Sequence, residues 1–396
     1  MATVTKLTLW GVIASPYQLK MQSLADQAEV DWQRWPDQGG LLDAIGTSIR
    51  LSRARSAQSI ERIPQRRPDL DEYPAVPYYS FDGRKFFYDS TGLALHLDQE
   101  INSSRPLLPE PAEQRFICQL IDEAFDEFGL YMVHHNRWVT SAATNRMGVV
   151  TSREMRKLMP PGTRQRFGRR LAQRQVRRCP YLFSVAPPGF DAGVPIKLTP
   201  PARPNFPPTH DLLNTAWRRY LTAMGTLLQH QPYLLGQRFT LADASAYGQL
   251  SMNLIDGEAA RLLEELAPLT FNWLCMIRDG GHKGSSGDLH LSEHLAPLLE
   301  IISETFTVLM QQNEAAYRRF CAQGQTQFNE AAFERNEALY KGTLLGKPFR
   351  HVAKSFQVPV WQTICQCWAE LSETEKENLE QRYGALKRAD FALQAT

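Results

Sequence analysis

Residues 10–20 read Trp-Gly-Val-Ile-Ala-Ser-Pro-Tyr-Gln-Leu-Lys, and further along the chain Val76-Pro77 precedes Tyr88-Asp89-Ser90-Thr91. The first stretch follows an alternating, β-forming run, Lys6 to Val12, which predicts an opening strand. Pro16 suits the first turn of a helix, with Ser15 ahead of it as the cap, and Tyr17 to Ala28 continues with helix formers. Val30 to Trp35 predicts a second short strand. The 36–72 connection, with Gly39-Gly40 near its start, is expected to contain a helix. Val76 to Phe81, the turn Asp82-Gly83 and Lys85 to Tyr88 predict a hairpin. Asp89 or Ser90 then caps a helix running to about Glu100. The order is strand, helix, strand, hairpin, helix.

Proline again marks the boundary after this unit, at 106–111. Beyond it Phe116, Leu120, Ile121, Ala124, Phe125, Phe128 and Met132 recur at helical spacing, predicting a long amphipathic helix to about Trp138. A second helix is expected over 164–178. Prolines at 187, 188, 195, 200, 201, 204, 207 and 208 mark an extended insertion. Helix resumes from Asp211 to about Leu228. From Leu289 onward the pattern again predicts helices, interrupted at Gly346-Lys347-Pro348.

These motifs, in this order, resemble those of the glutathione transferase family, most closely its larger bacterial-type members. The resemblance implies a thioredoxin-like α/β domain at 1–104, an all-α transferase-like domain at 105–285 carrying the proline-rich insertion 187–208, and a helical C-terminal extension at 286–396. It implies glutathione as co-substrate. Ser15 would donate to the thiolate and lower the thiol pKa at a helix N-terminus, where free N–H groups and the dipole favour an anion. Val76 would pair with the ligand backbone ahead of Pro77, in a cis bond. Asp89 and Ser90 would hold the γ-glutamyl end, the hydroxyl and N–H groups taking the carboxylate and the acid taking the amine. In redox relatives the Ser15 and Gln18 positions are cysteines, so dithiol chemistry through this motif is excluded. Phe239-Thr240-Leu241-Ala242-Asp243 resembles the family's helix-capping box, after a Leu-Gly turn at Tyr233 to Gly236.

The reaction so implied is conjugation of glutathione to an electrophilic small molecule. A glutathione-dependent isomerase, lyase or dehalogenase, and a non-catalytic protein that kept the fold, are the alternatives. Tyr17, Tyr131, His135 and Trp138 are the candidates for the electrophile pocket. Relatives commonly dimerise, so the resemblance makes a homodimer one possible partner state, which the insertions here could block or replace.

Composition bounds the rest. With 396 residues, 43% hydrophobic and 22% charged, the chain is long enough for two or three packed units. A net charge of +2 singles out neither nucleic acid nor membrane as a partner. The six scattered cysteines and the absence of an apolar leader lead us to expect a reducing cytoplasm. Between Arg153 and Arg178 ten basic residues face one acid, Glu154. That run reads as a solvated helix face or as a surface for an anionic substrate. His290 and His294 fit a zinc-ligand spacing without the surrounding context of a metalloprotease, and no metal is expected.

Overall fold

The computed structural model describes residues 7–57, 59–62, 77–101 and 105–392. Val76, and with it the cis bond expected at Val76–Pro77, lies outside the described residues. Among those described, Trp35–Pro36 is a cis peptide.

The N-terminal unit is a five-stranded mixed sheet with helices. In chain order it runs β1 (Leu7–Trp10), α1 (Pro16–Gln27), β2 (Trp32–Trp35), α2 (Leu41–Ser56), β3 (Glu61–Arg62), β4 (Tyr78–Ser80), β5 (Phe87–Tyr88) and α3 (Ser90–Ile101). The spatial order is β2-β1-β4-β5-β3. β1 pairs parallel with β2, antiparallel with β4, and β4 antiparallel with β5. That is the thioredoxin-like layout, with β3 added as a parallel edge strand on β5. The parallel pair needs a crossover, and α1 supplies it.

The rest is helical. The helices are α4 (Ala112–Glu123), α5 (Leu130–His135), α6 (Met147–Glu154), α7 (Arg164–Arg177), α8 (His210–Leu228), α9 (Leu241–Leu250), α10 (Gly257–Leu266) and α11 (Pro268–Arg278). They continue with α12 (Ala296–Ile302), α13 (Val308–Ala322), α14 (Glu330–Glu334), α15 (Gln357–Ala369), α16 (Glu373–Arg382) and α17 (Gly384–Arg388). A wider π-turn at Ala124–Gly129 joins α4 and α5, and a second at Asn136–Thr140 extends α5, giving the single long helix anticipated from its apolar spacing. The capping box forms as expected: Asp243 accepts from the Thr240 N–H at 2.9 Å, and its other oxygen accepts from the Leu234 N–H at 2.7 Å.

One continuous core runs from Leu7 and Leu9 of the sheet, through Phe125 and Tyr220, to Trp361 and Phe391 near the other end. α1 is the seam between sheet and helices, because α9 lies directly on it. Gly248 makes that approach possible: a Cβ there would sit 2.7 Å from the Pro16 carbonyl oxygen.

The segment read as purely helical after Leu289 contains a hairpin instead, β6 (Leu339–Leu344) and β7 (Lys347–Val352). The physical reason lies in Leu-Tyr-Lys-Gly-Thr-Leu and Pro-Phe-Arg-His-Val, whose alternation suits a strand better than a helix. The two connecting residues, Leu345 and Gly346, both have positive φ (50° and 71°), as a tight hairpin turn requires. A leucine there carries about 1 kcal/mol of strain. Leu345→Asn is therefore expected to raise stability by roughly 0.5–1 kcal/mol, read as the urea midpoint at unchanged slope.

Candidate functional site at two helix N-termini

Ser15 caps α1 with extended dihedrals (φ −97°, ψ 122°), and its hydroxyl makes no capping bond. No acid stands in the first turn, so the positive end of the helix is uncompensated from within. The loop ahead of it is clamped from the helical body at both exposed peptide groups. Glu154 of α6 accepts from the Ile13 N–H (3.2 Å to the nearer oxygen) and ion-pairs with Arg34 at 3.2 Å. Arg137 donates from Nη1 to the Ala14 carbonyl at 2.9 Å and from Nε to Asp256 at 2.6 Å. Trp138 packs in the small cluster with Met147, Val176 and Cys179, with Ala14 against it.

The N-terminus of α3 is the second feature. Asp89 precedes it at φ 86°, a left-handed conformation that costs an aspartate on the order of 1 kcal/mol and persists only where its surroundings impose it. Its Oδ1 accepts from the Gly92 N–H at 3.0 Å, while its Oδ2 is ion-paired with Arg62. Ser90 is buried, and its hydroxyl has no hydrogen-bond partner among the described residues.

Lys20 ties the two helix starts to the helical body. It is fully buried, and its Nζ reaches Thr91 Oγ1 at 3.0 Å, Asp122 at 2.5 Å and Asp126 at 2.7 Å. Thr91 donates in turn to Asp122 at 2.8 Å, and Ser245 to Asp126 at 2.7 Å. Burial alone would lower the lysine pKa, but the two carboxylates outweigh it and drive the pKa upward. Burial pushes the Asp122 carboxyl up to about 7 in spite of Lys20.

Next to these, Glu123 and Glu127 form a second acidic pair one turn apart. Glu127 accepts from Gln357 Nε2 at 2.9 Å, and burial lifts its carboxyl to about 7. Glu123 is 7% exposed and accepts no hydrogen bond among the described residues. Burial first, and then Asp122, Asp126 and Glu127, hold its carboxyl well above the usual range.

Three sequence expectations meet the structure differently. Asp89, expected to await a ligand amine, already has both oxygens engaged. Tyr131 lies in the packed interior: its hydroxyl accepts from Lys354 at 2.9 Å and Gln357 at 3.2 Å, and its ring stacks on Phe183 at 5.3 Å. His135 is likewise interior, with Nδ1 2.9 Å from Ser184 Oγ and Nε2 3.2 Å from Asn214; burial lowers its pKa to about 3, so the ring is neutral. Neither faces an open pocket, because the C-terminal extension and the 179–210 strap cover that side of the long helix. Tyr17 stays by the α1 start, donating to the Asp126 carbonyl at 2.8 Å. Pro77 lies beside Gly11 and the Gln18 side chain, whose buried amide has no hydrogen-bond partner at either atom among the described residues.

Sequence reasoning missed Lys20, Arg62, Glu123, Arg137 and Glu154. A lysine and four acids on otherwise apolar helical faces were the available signal for the Lys20 cluster. Arg62, Arg137 and Glu154 gave none, since their partners are distant in the chain. Two concavities occur away from this site: one of about 360 Å³ between α2 and the 157–160 loop, and one of about 520 Å³ lined by Trp368, Lys376 and Asp390. The basic run 153–178 is largely the exposed face of α7, with Arg178 paired to Glu330 and Arg156 to Asp37.

The structure is thus a thioredoxin-like domain followed by a helical body. No family model and no curated protein matches the chain. Among solved structures it is similar to glutathione transferase GSTFuA3 from Phanerochaete chrysosporium, at 11% identity over 70% of this chain and 98% of that one, TM-score 0.44. It is also similar to the beta-etherase LigF from Sphingobium sp. strain SYK-6 (16% identity, 70% and 99% covered, TM-score 0.40). A third is CsGST63524 of Ceriporiopsis subvermispora, solved in complex with glutathione (14% identity, 69% and 97% covered, TM-score 0.40). The fold assignment rests on the strand order and helix succession described above.

Proposed function

We propose that this protein binds glutathione across the N-termini of α1 and α3 and transfers its thiolate to an electrophilic small molecule. The observation that carries the reading is the pair of serine hydroxyls, Ser15 and Ser90, each at a helix start and each without a hydrogen-bond partner among the described residues. Both offer a donor where the helix dipole already favours negative charge. Ser15 would stabilise the thiolate relative to the thiol, and Ser90 with the α3 N–H groups would hold the α-carboxylate. The clamps on Ile13 and Ala14 would keep the Ser15 hydroxyl in place as the thiolate attacks the electrophilic carbon and the leaving group departs with the bonding pair.

Titration calorimetry with glutathione tests this. Wild-type binding in the micromolar to low-millimolar range is expected, weakened about tenfold in Ser90→Ala, the loss of one charge-assisted hydrogen bond. Ser15→Ala is expected to keep that affinity while lowering the bound thiolate fraction and turnover with 1-chloro-2,4-dinitrobenzene by tenfold or more. Unchanged thiolate absorbance in Ser15→Ala would remove the assigned role. The second reading, a protein that keeps the fold without the ligand, is favoured by the Asp89–Arg62 pair; it is supported if wild type gives no heat.

A further inference from the structure

Of the ten large apolar side chains left exposed among the described residues, four lie close together on α2. They are Leu41, Leu42, Ile45 and Ile49, at 54%, 83%, 39% and 48% exposure. Leu41, Ile45 and Ile49 recur at every fourth residue, so they form one stripe along the helix. The inward face is a different set: Ala44, Thr47 and Leu51 are buried, and Leu51 packs with Trp10 and Tyr78 of the sheet. Helix α2 is therefore apolar on both sides. A single exposed leucine is ordinary, but a continuous apolar stripe marks a surface that meets a partner.

Beside the stripe lies the recess of about 360 Å³, whose other wall is Leu158, Met159 and Pro160. That wall is fixed in place. Lys157 donates to the Asp37 carbonyl at 2.5 Å and also to the Gly39 carbonyl, and Arg156 pairs with Asp37 at 2.6 Å.

Charge selects the occupant. Arg153 precedes this wall, Arg164, Arg166, Arg169 and Arg170 follow it into α7, and Arg53 stands on α2; all six are exposed. Among the described residues none of the six has an acid within ion-pair distance. The nearby acids are committed, Asp37 to Arg34 and Arg156 and Glu154 to Arg34, which leaves Asp43 at the start of α2. The chain as a whole carries only +2, so this positive surplus is local. A second copy docked here would bring the same arginines face to face, which is repulsive. A bilayer would touch the protruding side chains and leave the recess empty. An apolar stripe on a helix fills it.

We propose that α2 and the 157–160 loop form a docking groove for an amphipathic helix of another protein, with acidic residues flanking that helix's apolar stripe. From Leu41 to Ile49 the groove runs about 12 Å, a little over two helical turns, so three or four apolar side chains of the partner line it. The flanking acids meet the arginines at the rim and fix register and orientation. The groove lies apart from the two helix N-termini, and the proposal does not depend on the glutathione reading.

Fluorescence anisotropy on the full chain tests it with a labelled, hydrocarbon-stapled helix that has leucines on one face and glutamates on its flanks. A second probe carries lysines in place of the glutamates. Wild type is expected to bind the glutamate probe at least tenfold more tightly than the lysine probe, and less tightly as salt rises from about 50 to about 500 mM. Ile45→Ser/Ile49→Ser and, separately, Arg164→Ser/Arg166→Ser are each expected to weaken the glutamate probe about tenfold at an unchanged melting temperature. Leu42→Ser, at a position too exposed to support the fold, is expected to weaken it about threefold. No binding of the glutamate probe, equal binding of both probes, or full affinity in Ile45→Ser/Ile49→Ser and Leu42→Ser overturns the proposal. Binding of phosphatidylcholine–phosphatidylserine vesicles without the glutamate probe overturns it in favour of a membrane. Wild-type dimerisation that Ile45→Ser/Ile49→Ser abolishes overturns it in favour of a second copy.

Discussion

Lys20→Met is expected to lose about 3–5 kcal/mol of unfolding free energy, the usual result of removing one partner from a buried ion cluster. The side chain is isosteric, so the loss measures charge rather than volume. Asp122 and Asp126 would be left facing each other in the interior, with Thr91 and Ser245 as their remaining donors. The sign of the pH dependence follows. Asp122 is raised to about 7 in the fold, above its unfolded value, so protonation already favours the folded state below that pH. Without Lys20 the Asp122 carboxyl binds its proton more tightly still, and the deficit should shrink as pH falls from 8 to 5. Urea unfolding at those two pH values checks it. Lys20→Met/Asp122→Asn/Asp126→Asn is expected to recover most of the loss; no recovery would mean that lysine packing, not charge, holds the seam.

Arg137→Ala comes next in size, again about 3–5 kcal/mol, because Asp256 is almost fully buried and would lose the cation it is paired with. The Ala14 carbonyl would lose its donor in the same step. Arg137→Lys separates the two effects. A lysine keeps the charge near Asp256 but lacks the planar fork that reaches Asp256 and Ala14 together. Its stability should fall by less than half as much, while the loop carrying Ser15 loosens. Glutathione affinity and thiolate fraction should then drop in Arg137→Lys beyond what its melting curve explains. If both track stability alone, the clamp holds the fold and not the site.

The α/β unit was legible from local chemistry. Pro16 after Ser15, Asp82-Gly83 between two β-forming runs, and Asp89-Ser90 before an apolar helix all act within a few residues, and each produced the element expected. The capping box at Thr240 and Asp243 is local in the same sense. What escaped was set by distance along the chain. Asp89 reads as a free acid until β3 brings Arg62 beside it. Tyr131 and His135 read as pocket residues because nothing near them announces Lys354, Gln357, Ser184 or Asn214 as their partners. The hairpin at 339–352 was hidden differently: its alternation is visible, but Gly346-Lys347-Pro348 between helical stretches reads equally as a helix break.

The bonds from Lys354 to Tyr131 and from Gln357 to Glu127 join positions more than two hundred residues apart. On the ribosome the long helix emerges well before its partners exist. Its interior tyrosine hydroxyl and glutamate carboxyl therefore wait in water, or on a chaperone, until the segment carrying Lys354 and Gln357 has been made. A chain released early, by a premature stop before Lys354, would carry a complete α/β unit and an unfinished core. Such a fragment should be cleared as waste rather than persist as a smaller working version of the same protein.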